Sequence, residues 1–138
     1  MSIFPQTYIG FTDGASCNIQ NLSSASWVIY SLKDELVSIH GIWLSQTMNN
    51  IAKSKVVIGL LFDSITFGIC QLIVRLDSQL MVLHLNGVYL VRIASMLRMF
   101  LRVRLLERDF DYIEYQHILR NLNTLIDALA NYVLNWNL

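Results

Sequence analysis

In "TYIGFTD", Ile9 and Phe11 alternate with Tyr8, Gly10 and Thr12, a two-residue period that predicts a strand ending at Asp13. "GASCNIQNLSSA" follows as a polar turn region. "SWVIYS" and "ELVSIHGIWL" then predict two more strands, with "LKDE" as the turn between them. Three consecutive strands joined this closely are expected to pair antiparallel. From Asn50 the period lengthens: Ile51, Ile58, Phe62 and Ile65 fall near one face of a helix, supported by Val57 and Leu61, and Gly68 is a good residue to end it.

"ICQLIVRLD" returns to strand composition and delivers Asp77 at its end. "SQLMVLHLNG" reads as a short helix stopped by Asn86 and Gly87, and "RIASMLRMFLRVRLLER" as a long basic helix. In the latter Ile93, Met96, Leu97, Phe100, Leu101, Val103 and Leu105 are expected on the core side. "FDYIEYQHI" alternates as a fifth strand, and "LNTLIDALANYVLNWNL" closes the chain as an amphipathic helix. The order β-β-β-α-β-α-α-β-α predicts an α/β fold, a five-stranded mixed sheet with helices on both faces.

Composition qualifies this picture. The chain has 138 residues, which suits one domain over 1–138. Charged residues make up 14% and hydrophobic ones 54%, against roughly 25% and 45 to 50% in ordinary globular chains. That motivates a reading as a membrane or amphipathic interaction protein. The best candidate span, Val56 to Val74, carries Asp63, Ser64, Thr66 and Gln71 and is split by Gly68. A central aspartate costs about 2.5 to 3.5 kcal/mol on insertion scales, so no membrane partner is expected. "MSIFPQTYIGF" has no basic flank before an apolar run, so no secretory signal is read and an intracellular setting, nuclear or cytoplasmic, is expected. Cys17, read on a loop, and Cys70, read on a strand, lack metal spacing and are read as free thiols. Formal net charge is zero, yet six arginines stand against two acids between Arg75 and Arg108, a basic segment that suits a polyanion.

Acids fall at Asp13 after the first strand, Asp77 after the fourth and Asp127 in the last helix. Strand ends of an α/β sheet are where ligand crevices form, and clustered carboxylates are hard ligands for Mg²⁺. Taken singly, each aspartate is equally at home in a turn or helix cap.

The words "FTDGAS", "NNIA", "VRLDSQL" and "EYQHILRNLNTLIDALAN" occur in the order and spacing of the ribonuclease H type 1 family. From about Tyr8 onward the chain resembles that family, and in particular the ribonuclease H-like domain of plant retroelement polyproteins. The resemblance implies a five-stranded mixed sheet whose first three strands are antiparallel. It also implies hydrolysis of the RNA strand of an RNA/DNA hybrid by two Mg²⁺ ions, or Mn²⁺, about 4 Å apart. By motif position Asp13, Asp77 and Asp127 match metal-binding carboxylates, and His117, ten residues before Asp127, matches the family histidine that helps proton movement or product release. Asn49 and Asn50 match the pair that reads the hybrid through its minor groove, where 2′-hydroxyls mark the RNA strand; an asparagine pair also suits a helix N-cap. Gly14 and Ala15 beside Asp13, and Ser78 and Gln79 beside Asp77, fall in the same nucleic-acid-contacting words. Arg98 and Arg102 lie in the basic helix, which is either a handle for the DNA backbone or a solvated face.

The family's fourth carboxylate is a glutamate three residues after the asparagine pair, and here that position is Lys53. Two unit charges about 4 Å apart interact by roughly 4 kcal/mol at an effective dielectric of 20, and here the sign toward a cation is reversed. Mg²⁺ binding is expected to weaken by orders of magnitude. "CNIQNL" replaces the family's Gly- and Pro-rich turn, Leu119 stands where proline is usual, and Met48 where threonine is. The expectation is a ribonuclease H-like nucleic-acid-binding domain with impaired hydrolysis. The alternative is a silent binding or scaffold domain in which Lys53 pairs with Asp13 or Asp77.

Overall fold

The computed structural model describes residues 6–17, 22–45, 49–92 and 94–119, with side chains at 6–12, 26–42, 53–92, 94 and 96–119. Five strands and three helices follow one another as β1 (Thr7–Cys17), β2 (Leu22–Ser31), β3 (Leu36–Ser45), α1 (Asn49–Thr66), β4 (Gln71–Leu76), α2 (Gln79–Leu85), α3 (Ala94–Glu107) and β5 (Tyr112–His117). The sheet order is β3-β2-β1-β4-β5. β1, β2 and β3 pair antiparallel, whereas β4 runs parallel to β1, and β5 parallel to β4. This is the mixed sheet expected from the sequence. The closing helix expected over 122–138 lies outside the described residues.

The turn "LKDE" forms because Ser31 organises it. Its hydroxyl accepts from the Lys33 and Glu35 amides, its carbonyl accepts from Asp34, and Asp34 takes the left-handed conformation at φ 61°. α1 stops at Gly68 in a Schellman arrangement: the Gly68 amide donates to Ile65 and the Ile69 amide to Ser64, with Gly68 at φ 77°. The stretch Val56 to Val74 is therefore helix, turn and strand in succession. No described helix is long and apolar enough to cross a membrane.

Three expectations are corrected. β1 does not end at Asp13; Gly14, Ala15, Ser16 and Cys17 continue the ladder to β2, so Cys17 closes a strand and is not on a loop. Past Thr12 the pairing to β4 has ended, and β1 extends as one arm of a hairpin, where small polar residues suffice because the backbone ladder supplies the hydrogen bonds. Cys70, read on a strand, instead lies just before β4, as a free, exposed thiol. On α1 the core-facing row is Val56, Val57, Leu60, Leu61 and Ser64, all at most 1% exposed, while Phe62 is 65% exposed. A helix apolar on nearly every side does not reveal by period alone which side is inward.

α1 crosses β1 and β2 at close range. A Cβ on Gly59 would stand 2.5 Å from the Trp27 ring, so only glycine lets the helix lie on that indole. Trp27 Nε1 donates to Asp63 Oδ2 at 2.9 Å, and Ser38 Oγ donates to the same oxygen at 2.8 Å, so the buried indole N–H is satisfied. Leu72, Val74 and Leu76 of β4 join α1, α2 and α3 in one cluster with Met81, Leu85, Phe100 and Val103. Those three helices thus share one face of the sheet. Val28, which alternation turns to the opposite face, is also only 1% exposed.

A second clamp ties α2, α3 and β5. Arg104 donates twice to Glu107 and once to the Leu85 carbonyl, and the Tyr115 hydroxyl donates to Glu107 at 2.7 Å. Asn86, the C-cap of α2, donates its side-chain amide to the Tyr115 carbonyl. Burial, followed by the hydrogen bond to the Glu107 carboxylate, pushes the Tyr115 phenol far above its ordinary value of 10.0. The folded state keeps this proton where the unfolded chain releases it. The stability this group contributes is thus fully present below pH 10 and is lost above it, by up to about 1.4 kcal/mol per pH unit. Urea unfolding of Tyr115→Phe across pH 8 to 11, values chosen to bracket roughly that onset, is expected to lose this part of the slope. In the same assay Gly59→Val is expected to cost about 1 to 3 kcal/mol by forcing Trp27 from its place.

Candidate functional site

The site is built at the carboxyl end of the three parallel strands. Thr12 of β1 pairs with Leu76 of β4, and Leu76 pairs with His117 of β5. Asp13 and Asp77 are the next residues on neighbouring strands, whose backbones run about 4.8 Å apart. His117 ends β5, exposed, with Nε2 3.2 Å from the Asp77 carbonyl oxygen, and the Ile118 amide donates to the Leu76 carbonyl. The sheet therefore brings the Asp13 backbone, Asp77 and His117 together in one row. The Asp13 side chain and all of Asp127 lie outside the described residues.

α1 brings Lys53 to the same end. Residues 67–70 alone join the helix to β4, so its C-terminus lies at the Gln71 end of the sheet and its N-terminus at the Leu76 end. Leu60 lies over Gly10, where a Cβ would be 2.7 Å from its terminal carbon. Seven helical residues back to Lys53 span about 10 Å, and three strand residues from Gly10 to Asp13 span about 10 Å as well. Lys53 thus stands level with Asp13 and Asp77. It also heads the most deeply buried row of the helix, since Val57, Leu60 and Ser64 follow at i+4, i+7 and i+11, each 0% exposed. Lys53 itself is partly buried.

Asn49 and Asn50 are the first two residues of α1, inside its first turn and not before it; their side chains are outside the description. Ser78 is the N-cap of α2, its hydroxyl accepting from the Met81 amide at 3.3 Å, and Gln79 opens that helix, exposed. Gly14 and Ala15 face Ala25 and Ser24 in the hairpin ladder. Arg98 and Arg102 are exposed on α3, away from the face that packs on α1. There the expected core side is corrected: Phe100 and Val103 are buried, but Leu97, Leu101 and Leu105 are 44%, 56% and 61% exposed.

Two features escaped the reading of the sequence. Arg75, two residues before Asp77, lies 5.8 Å from the Phe11 ring centroid and donates to Gln116, which fixes a cation one row below the site on neighbouring strands. An apolar cavity of about 250 Å³ opens beside Ser78, lined among others by Met81, His84, Leu90, Arg92 and Met96. Contacts between residues this far apart in the chain leave no local pattern.

Of the carboxylates matched to metal binding, only the Asp77 side chain falls among the described residues. Among the described residues no three of His, Cys, Asp and Glu gather around one point. Asp77 is the one described carboxylate of the row, and the helix position above it carries an ammonium.

Comparison with known proteins follows this geometry. The model of the reverse transcriptase-like family matches residues 11–133. The chain belongs to that family. Its ribonuclease H type 1 character is equally plain in the relatives of this family member. Ribonuclease HI of Halobacterium salinarum is 30% identical over 125 residues, covering 91% of this chain and 63% of that protein. A bifunctional protein of Mycobacterium tuberculosis is 30% identical over 88 residues, covering 64% of this chain. The chain thus spans 24% of the length of the mycobacterial relative and under two thirds of the archaeal one. The crystal structure of the Halobacterium salinarum RNase H1 superposes with a TM-score of 0.89 at 29% identity, covering 94% of this chain and 98% of that one. An RNase H1 from a compost metagenome, solved in complex with an RNA/DNA hybrid, gives a TM-score of 0.88 at 24% identity, over 94% of this chain and 98% of that one, and shows the same fold.

Replacing the N-cap by Ser78→Ala is expected to cost about 1 kcal/mol. Hydrogen exchange at the Met81 amide should speed up as the first turn of α2 frays, and an unchanged rate would show that the cap does not hold that turn.

Proposed function

We propose that this ribonuclease H-like domain binds RNA/DNA hybrids, and that its hydrolysis of the RNA strand is impaired by Lys53. The observation that carries the reading is the register of α1 on the sheet, which sets an ammonium level with Asp13 and Asp77. In the family that level belongs to carboxylates and Mg²⁺. Binding does not need the lost carboxylate: Asn49, Asn50, Ser78 and Gln79 open two helices at the same end of the sheet, with Gly14 and Ala15 on the adjoining strand. Helix N-termini suit contacts to the sugar-phosphate backbone. An origin in a plant retroelement and a nuclear or cytoplasmic setting complete the proposal.

As to mechanism, this chain's own groups position and do not cleave unaided. His117, held against the Asp77 carbonyl, is placed to move a proton at the edge of the row. Mg²⁺, when bound in this family, activates water and stabilises the leaving oxygen. Lys53 opposes that occupancy, and the ammonium supplies part of the neutralising charge itself. A silent binding domain is the limit of this trend.

The test compares native chain and Lys53→Glu on a labelled hybrid, with Mg²⁺ and with Mn²⁺, alongside metal-free binding. Native chain is expected to bind hybrid without metal and to cleave it more slowly than Lys53→Glu, on the order of 100-fold in view of the charge reversal. Asp77→Asn should abolish whatever cleavage remains. Native cleavage as fast as that of Lys53→Glu would remove the impairment, and failure of both proteins to bind hybrid would remove the nucleic-acid reading.

A further inference from the structure

α3 carries leucines where the outer face of a surface helix is normally polar. Leu97, Leu101 and Leu105 recur every four residues and form one exposed stripe, while Phe100 and Val103 hold the opposite side in the core. Arg98 and Arg102 flank the stripe on one side, Arg104 on the other, and Arg108 continues it; all four are exposed. The one acid of the helix, Glu107, is turned inward to Tyr115 and Arg104. Within α3 the face is therefore an apolar stripe between cations with no exposed carboxylate on it, and beyond the helix the exposed Asp109 follows Arg108. At its start the 250 Å³ apolar cavity opens, with Met96 in its wall, Leu97 next in the chain, and Arg92 at its side.

We propose that this face docks an acidic amphipathic helix of a protein partner. The partner's apolar stripe seats on Leu97, Leu101 and Leu105, its flanking carboxylates meet Arg98, Arg102 and Arg108, and one large apolar side chain enters the cavity beside Met96. Charge decides the occupant. A second copy using the same face would set arginines against arginines in an isologous contact. A phosphate backbone takes the arginines but leaves three leucines in water, whereas an acidic amphipathic helix uses both. Arg98 and Arg102 are thereby assigned to a protein partner and not to the hybrid.

The experiment measures binding of a fluorescent helical peptide of about 20 residues to the full chain. Its leucines are spaced to form one stripe and flanked by glutamates, and a second peptide carries lysines in place of the glutamates. The glutamate peptide is expected to bind saturably and more weakly as salt rises, and the lysine peptide not to bind. Leu101→Ser should lower affinity about tenfold while hybrid binding and the unfolding midpoint stay unchanged. Arg98→Glu combined with Arg102→Glu should exclude the glutamate peptide and admit the lysine one. The proposal is overturned if the glutamate peptide fails to bind, or if Leu101→Ser binds it as native chain does. It is equally overturned if the arginine variant loses affinity for the hybrid or for phosphatidylserine vesicles instead, or if sedimentation shows a dimer that Leu101→Ser dissolves.

Discussion

The contact of α1 with the sheet at Gly59 and Trp27 sets the register on which the site depends. Because a side chain on Gly59 would collide with the indole, the helix sits as low as its backbone permits. Asp63 then reaches both Trp27 Nε1 and Ser38, which fixes the helix along its own axis as well as in height. Sliding α1 by one turn would move its N-terminal residues by about 5.4 Å, enough to take Lys53 off the Asp13–Asp77 row. It would also strand the indole N–H and expose Leu60. The core contact therefore determines the chemistry at the far end of the helix. A buried pair of polar bonds supplies the specificity that apolar packing alone leaves loose.

At the other side of the core, the Tyr115, Glu107 and Arg104 cluster does for β5 what Asp63 does for α1. It joins the ends of α2 and α3 to the strand that presents His117 two residues later. His117 meets the Asp77 carbonyl because β4 and β5 are held in parallel register. The row at the strand ends is thus an assembly of backbone positions, each fixed by a different polar clamp below it.

The strands themselves were legible in the sequence wherever a two-residue period met a turn residue, as at Ser31 to Leu36 or after Leu76, whereas their order in the sheet and the parallel pairing of β4 and β5 have no local signature. Helix ends were legible at Gly68 and Gly87 because a left-handed residue is written directly in the chain. The continuation of β1 to Cys17 was not, since a strand made of Gly, Ala, Ser and Cys has no apolar alternation and is specified by its partner strand. The inward sides of α1 and α3 were misread for one reason: both helices carry apolar residues on their outer sides too, at Phe62 and at Leu97, Leu101 and Leu105. At the site, Asp13 and Asp77 were picked out as acids near strand ends, whereas His117 was picked out only by the family resemblance. Arg75 over Phe11 required the pairing of two strands distant in sequence.

α1 has no acidic residue in its first turn, so that turn adds no carboxylate to the partial positive charge that the helix dipole places at the end of the sheet where Lys53 stands. The helix and its lysine therefore act in the same sense, and together they oppose part of the negative charge of the aspartate row. The compensation is electrostatic and acts between partly exposed groups, so rising ionic strength weakens it.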